Sequence, residues 1–79
     1  MMHHSLKIEM HFLKAVLDGH KTFEIRKNDR KFHVGDTFEL VNGDFVSQPY
    51  CITYITNYEQ QANYVVFSFA PVSETEGAK

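Results

Sequence analysis

Lys21, Glu24 and Arg26 place three ionisable side chains of both signs within six residues, interleaved with Phe23 and Ile25. On a strand, Glu24 and Arg26 share a face with Cα atoms ~6.6 Å apart, so their side chains meet or enter one hollow. Lys21, just ahead of that strand, reaches the same place from a helix end. A carboxylate beside cations orients a base edge or a sugar hydroxyl, or acts as a general base. Arginine grips phosphate through a two-pronged fork, and lysine does so as a point charge. The plainer alternative is a surface ion pair joining helix end to strand, worth about 0–1 kcal/mol.

The charge continues into Lys27, Arg30 and Lys31, which extend a ligand-contacting patch or form a solvated loop. Residues 20–33 carry a net +3, whereas the rest of the chain carries −5. The formal total of −2 argues against a polyanion partner, but a local basic patch is what phosphate contacts require. His20 lies inside the charged stretch and is a further candidate for the hollow; His4, ahead of the first strand, is another. The five histidines show no metal-ligand spacing and the single Cys51 offers no partner, so neither a metal nor another cofactor is expected. Cys51 reads as a small buried hydrophobe in a reducing, cytoplasmic compartment. Tyr50, Tyr54, Tyr58 and Tyr64 can stack on bases, but at strand positions they are more often core.

Short elements must position these side chains. Residues 6–10 alternate apolar and charged, as a half-buried strand does. Phe12, Leu13, Val16 and Leu17 form one helical stripe, and Gly19 stands where a helix end needs positive φ. Residues 22–27 return to strand alternation, with Phe23 and Ile25 toward the core and Glu24 and Arg26 outward. A polar loop, a turn at Gly35 and a strand over 37–41 follow, then a turn at Asn42-Gly43-Asp44. Residues 50–56 and 64–69 read as two more strands, the last near-continuously apolar and central or buried on both faces. The remainder, 73–79, is a polar tail expected to fray. Five strands and one N-terminal helix within 79 residues make a single domain, α+β but mainly β, with its core over about 4–71. Closure into a small β-barrel hides the strand edges, with the helix lying against it. No apolar run approaches the ~20 residues of a membrane helix, and no secretory signal is visible at the N-terminus.

The stretch Gly19-x-Lys21-x-x-Glu24-x-Arg26 resembles the signature of ASCH domains in the PUA-like superfamily, at a helix-to-strand junction. Phe32-x-Val34-Gly35-Asp36 and His4-x-Leu6-Lys7-Ile8 are similar to a compact branch found in bacteria and their phages, over residues 4–69. The resemblance implies a β-barrel with a cleft beside the helix, lined by the lysine, glutamate and arginine. Related domains bind RNA, some look like RNases, and others hydrolyse acylated cytidine nucleosides. The amidohydrolase members resemble Gly-x-Lys-x-x-Thr, with the threonine catalytic; Glu24 stands there in this chain.

The leading expectation is therefore a module that binds RNA or a modified nucleoside. Lys21, Arg26, Lys27, Arg30 and Lys31 would meet phosphate, Glu24 the base or sugar, and His20 the rim. A hydrolase using Glu24 as base and Lys21 to stabilise an anion is the second expectation. A small protein-interaction domain is the third, favoured if exposed aromatic residues gather away from the charged stretch.

Overall fold

Strand alternation begins earlier than expected, because a histidine occupies a core position in the first strand. The computed structural model describes residues 1–77, with side chains through Glu74. Strand β1 spans His3–Lys7, with His4 and Leu6 inward. Helix α1, Met10–Leu17, buries only Leu13 and Val16. The expected four-residue stripe is half as wide, since Phe12 and Leu17 are 41% and 50% exposed.

Strand β2, Phe23–Lys27, keeps the predicted period with the opposite polarity: Glu24 is buried while Phe23 and Ile25 are exposed. A 3-10 turn, Asn28–Arg30, leads to β3, Thr37–Asn42, which hairpins through Gly43 into the two-residue β4, Phe45–Val46. Strands β5, Tyr50–Thr56, and β6, Tyr64–Pro71, complete the sheet. The C-terminal stretch expected to fray forms a short helix α2, Val72–Gly77, as far as it is described; positions 78 and 79 of that tail lie outside the described residues.

The sheet runs β1-β3-β5-β6-β2, with β4 on β3. The β1–β3 pair is parallel and every other pair antiparallel. A register shift between Ile52 and Tyr54 bends β5, as an extra residue in one strand does. The sheet curls around Phe38, Leu40, Phe67, Leu6, Ile52 and Leu13, each at most 2% exposed. Phe38 sits edge-on to Phe67 and Phe69 at 5.5 and 5.2 Å, anchoring an aromatic centre. Strand β6 is central as predicted, but its outer face is only partly covered.

The fold is thus a curled half-barrel with a short helix, not a closed five-stranded barrel with one helix. The terminal strands β1 and β2 do not pair. Glu24 and Arg26 of β2 line the gap between them. Arg26 spans it with a side chain instead: its Nη2 donates to the Lys7 carbonyl oxygen at 2.9 Å. Among the described residues no helix is long and apolar enough to cross a membrane.

Candidate functional site

The seam between β1 and β2 is a cleft of about 420 Å³. Lys21, Glu24 and Arg26 all line it, together with Phe12, Phe23 and Ile25. Lys7, Ile8 and Glu9, at the end of β1, form its far side. The three charged residues singled out by sequence spacing are therefore brought together in one place.

Local backbone geometry delivers each of them. Helix α1 ends in a pair of reversed hydrogen bonds, Gly19 N–H to Val16 O and His20 N–H to Ala15 O, both 3.0 Å. This pairing is the left-handed stop that glycine favours, and Gly19 adopts φ +80°. Lys21 N–H also donates to Ala15 O at 3.0 Å, which fixes the chain where Lys21 departs. Glu24 and Arg26 stand opposite Phe67 and Val65 in the β2–β6 register. Paired residues share a face, so both side chains point to the concave side with Phe67 and Val65, which are buried.

Glu24 is 5% exposed, and burying a carboxylate costs several kcal/mol unless donors replace its water. Lys21 Nζ donates to Oε1, and Arg26 Nε donates to Oε2 at 2.7 Å. Lys21 Nζ also donates to the Phe23 carbonyl oxygen at 2.9 Å. It stands 5.4 and 5.2 Å from the ring centroids of Phe12 and Phe23, close enough for cation–π attraction. Each carboxylate oxygen has two lone pairs, so Glu24 can accept further hydrogen bonds from a guest. The cleft thus offers an ion-paired polar floor, one carboxylate held by two cations, beneath apolar and aromatic walls.

Other predicted ligand residues lie elsewhere. His20 is exposed and does not line the cleft. Lys27, Arg30 and Lys31 are exposed, and their side chains make no ion pair or hydrogen bond among the described residues. His4 also sits away from it: Nε2 donates to Asp36 Oδ2 at 3.0 Å, with both residues at most 4% exposed. Asp36 also accepts from the Met2 N–H at 3.0 Å and the His33 N–H at 3.1 Å. Burial pushes the Asp36 carboxyl up, but the His4 bond and the two backbone N–H bonds outweigh it. The net effect holds Asp36 below the usual carboxylate range.

Sequence reasoning missed the walls. Phe12, Phe23 and Ile25 were assigned to the core because apolar residues usually fill it. The inversion is held by Lys21 and Arg26 flanking Glu24, a pair of counter-charges that keep the carboxylate inside. Among the described residues, no group of three or more His, Cys, Asp or Glu side chains is placed to hold a metal ion.

A comparison with curated proteins finds no match. The family model described as Domain of unknown function (DUF3850) matches residues 3–69, and the chain belongs to that family.

Proposed function

We propose that this chain is a binding module whose seam cleft takes a nucleoside-like ligand, either a free modified nucleoside or an unstacked base of RNA. One observation carries the reading: a buried carboxylate, held by two cations yet with acceptor capacity to spare, floors a cleft walled by Phe12, Phe23 and Ile25. A base presents two apolar faces and a polar edge, which matches aromatic walls above a hydrogen-bonding floor. The intact Gly19-x-Lys21-x-x-Glu24-x-Arg26 signature supports placing the chain among ASCH-type, PUA-like domains, and the lone half-buried Cys51 supports a cytoplasmic setting. The exposed apolar residues nearest the signature wall the cleft itself, which favours a ligand pocket over a protein-docking face. Among the described residues no Ser, Thr, Cys or His side chain lines the cleft, so a hydrolase would have to work with its carboxylates and cations, Glu24 and Lys21 foremost.

Calorimetric titration with cytidine, an acylated cytidine and a short single-stranded RNA tests this reading. Binding is expected in at least one arm, and Phe12→Ala should weaken it roughly tenfold, the scale of one base–aromatic stack. Phe12 is exposed, so this variant keeps the core intact. Nucleoside binding should vary little with salt, whereas RNA binding should weaken as phosphate contacts release counterions. An absence of heat in every arm, or affinity indifferent to Phe12→Ala, defeats the proposal. Release of free acid from the acylated cytidine, abolished by Glu24→Gln, would replace it with the hydrolase.

A further inference from the structure

A second cavity, of about 310 Å³, lies at the other end of β2. Its lining includes five primary amides, on Asn28, Asn57, Gln60, Gln61 and Asn63, and Tyr64. Among the described residues no charged side chain lines it. The amides are largely unused: Asn57, Gln61 and Asn63 make no side-chain hydrogen bond among the described residues, and Asn28 uses only Oδ1, accepting from Phe32 N–H at 2.9 Å.

Two loops build this cavity, and both are held in costly conformations. The Asn28 N–H donates to Asn63 O at 2.7 Å, stitching residues 28–31 to residues 57–63. Every non-glycine residue with positive φ among those described lies in these loops: Lys31 at 51°, Glu59 at 60° and Asn63 at 68°. Such conformations concentrate where a ligand site needs a fixed backbone. Lys27, Arg30 and Lys31 flank Asn28 in sequence and have no ion-pair or hydrogen-bond partner for their side chains among the described residues.

We infer that this amide-lined cavity and the Lys27–Arg30–Lys31 loop form a site for a phosphorylated ribose, separate from the seam cleft. A primary amide offers both donors and an acceptor without charge, which suits sugar hydroxyls. The neighbouring free cations suit the phosphate. An inorganic anion would use the amide NH2 groups but leave their carbonyl oxygens idle, and a neutral sugar would leave the cations idle. The ligand that uses both is a ribose phosphate, supplied by a free nucleotide or by a strand of RNA. The inference does not rest on the seam cleft, since the two sites share no lining residue.

Backbone amide NMR titration of the full chain with ribose 5-phosphate, ribose, inorganic phosphate, a mononucleotide and a short single-stranded RNA distinguishes the possibilities. Ribose 5-phosphate should shift the amides of residues 28 and 57–63 while leaving Glu24 unmoved, and should bind more tightly than ribose or phosphate. Lys27→Ala with Arg30→Ala should weaken it about tenfold, and so should Asn57→Ala with Gln61→Ala. All four positions are exposed, so folding is preserved. Mononucleotide binding identifies a free nucleotide as the source, and response to the strand alone identifies RNA. Equal affinity for inorganic phosphate and ribose 5-phosphate would reduce the site to a charge patch and overturn the inference. Shifts confined to residues 21–26, or none with any probe, would overturn it equally, the former leaving the seam-cleft reading intact.

Discussion

At the residue scale, two buried acids solve the same problem differently. Glu24 is held by two side-chain cations, whereas Asp36 is held by one histidine and two backbone N–H groups. The first leaves charge and lone pairs facing an open cleft. The second is closed in the core and ties the N-terminus to the turn before β3, so it reads as architecture. Its pH behaviour follows from the depressed folded pKa. The stabilisation is present above the ordinary carboxylate range and lost as pH falls through the folded value, below about pH 4. Asp36→Asn replaces an acceptor oxygen by an NH2 group facing donors, so it should cost about 2–3 kcal/mol at neutral pH. That deficit should shrink as acid titrates the native carboxylate. Urea unfolding of both proteins at pH 7 and pH 3 measures it, and a pH-independent difference would assign the loss to packing alone.

At the scale of elements, the helix-to-strand junction sets the cleft, and Gly19 is its hinge point. An added Cβ at Gly19 meets nothing within 4 Å, so Gly19→Ala isolates the backbone cost of φ +80°. That cost is about 1–2 kcal/mol, which in a domain of this size lowers Tm by roughly 4–8 °C per kcal/mol. A thermal scan showing no shift would mean the helix end relaxes into another stop. This junction was legible in the sequence because glycine after an apolar stripe has few other uses. The polarity of β2 was not legible. Alternation in Phe23-Glu24-Ile25-Arg26 fixes which residues share a face, but only tertiary surroundings decide which face is inside. The buried His4 was hidden for a related reason: its partner Asp36 is 32 residues away, and no local pattern announces it. The charged loop was legible as a loop, yet contiguity in sequence suggested one patch, whereas Lys27, Arg30 and Lys31 do not line the cleft that Lys21, Glu24 and Arg26 share.

At the scale of the molecule, the sheet order decides everything the cleft can be. Hydrophobic patterning argued for closure, and closure would have buried Glu24 without room for a guest. The parallel β1–β3 pair could not be read from local signals, and it leaves β1 and β2 as opposite ends of one curled sheet. Arg26 then does two jobs with one guanidinium: Nε serves Glu24 and Nη2 serves the Lys7 carbonyl oxygen across the gap. An edge strand with free backbone groups invites pairing with another chain. Lys21 on the Phe23 carbonyl oxygen and Arg26 across the seam guard the β2 edge against that. Lysine keeps the charge at position 26 but has no fork with which to reach both partners. Arg26→Lys should therefore loosen the seam before it loosens the core. Native-state hydrogen exchange reads this directly: amides of β1 and β2 should lose about tenfold in protection, equivalent to roughly 1.4 kcal/mol. Amides of β5 and β6, in the middle of the sheet, should lose less. A uniform loss across all strands would show that the seam opens only with global unfolding, and that the half-barrel behaves as one cooperative unit whose cleft has no independent motion.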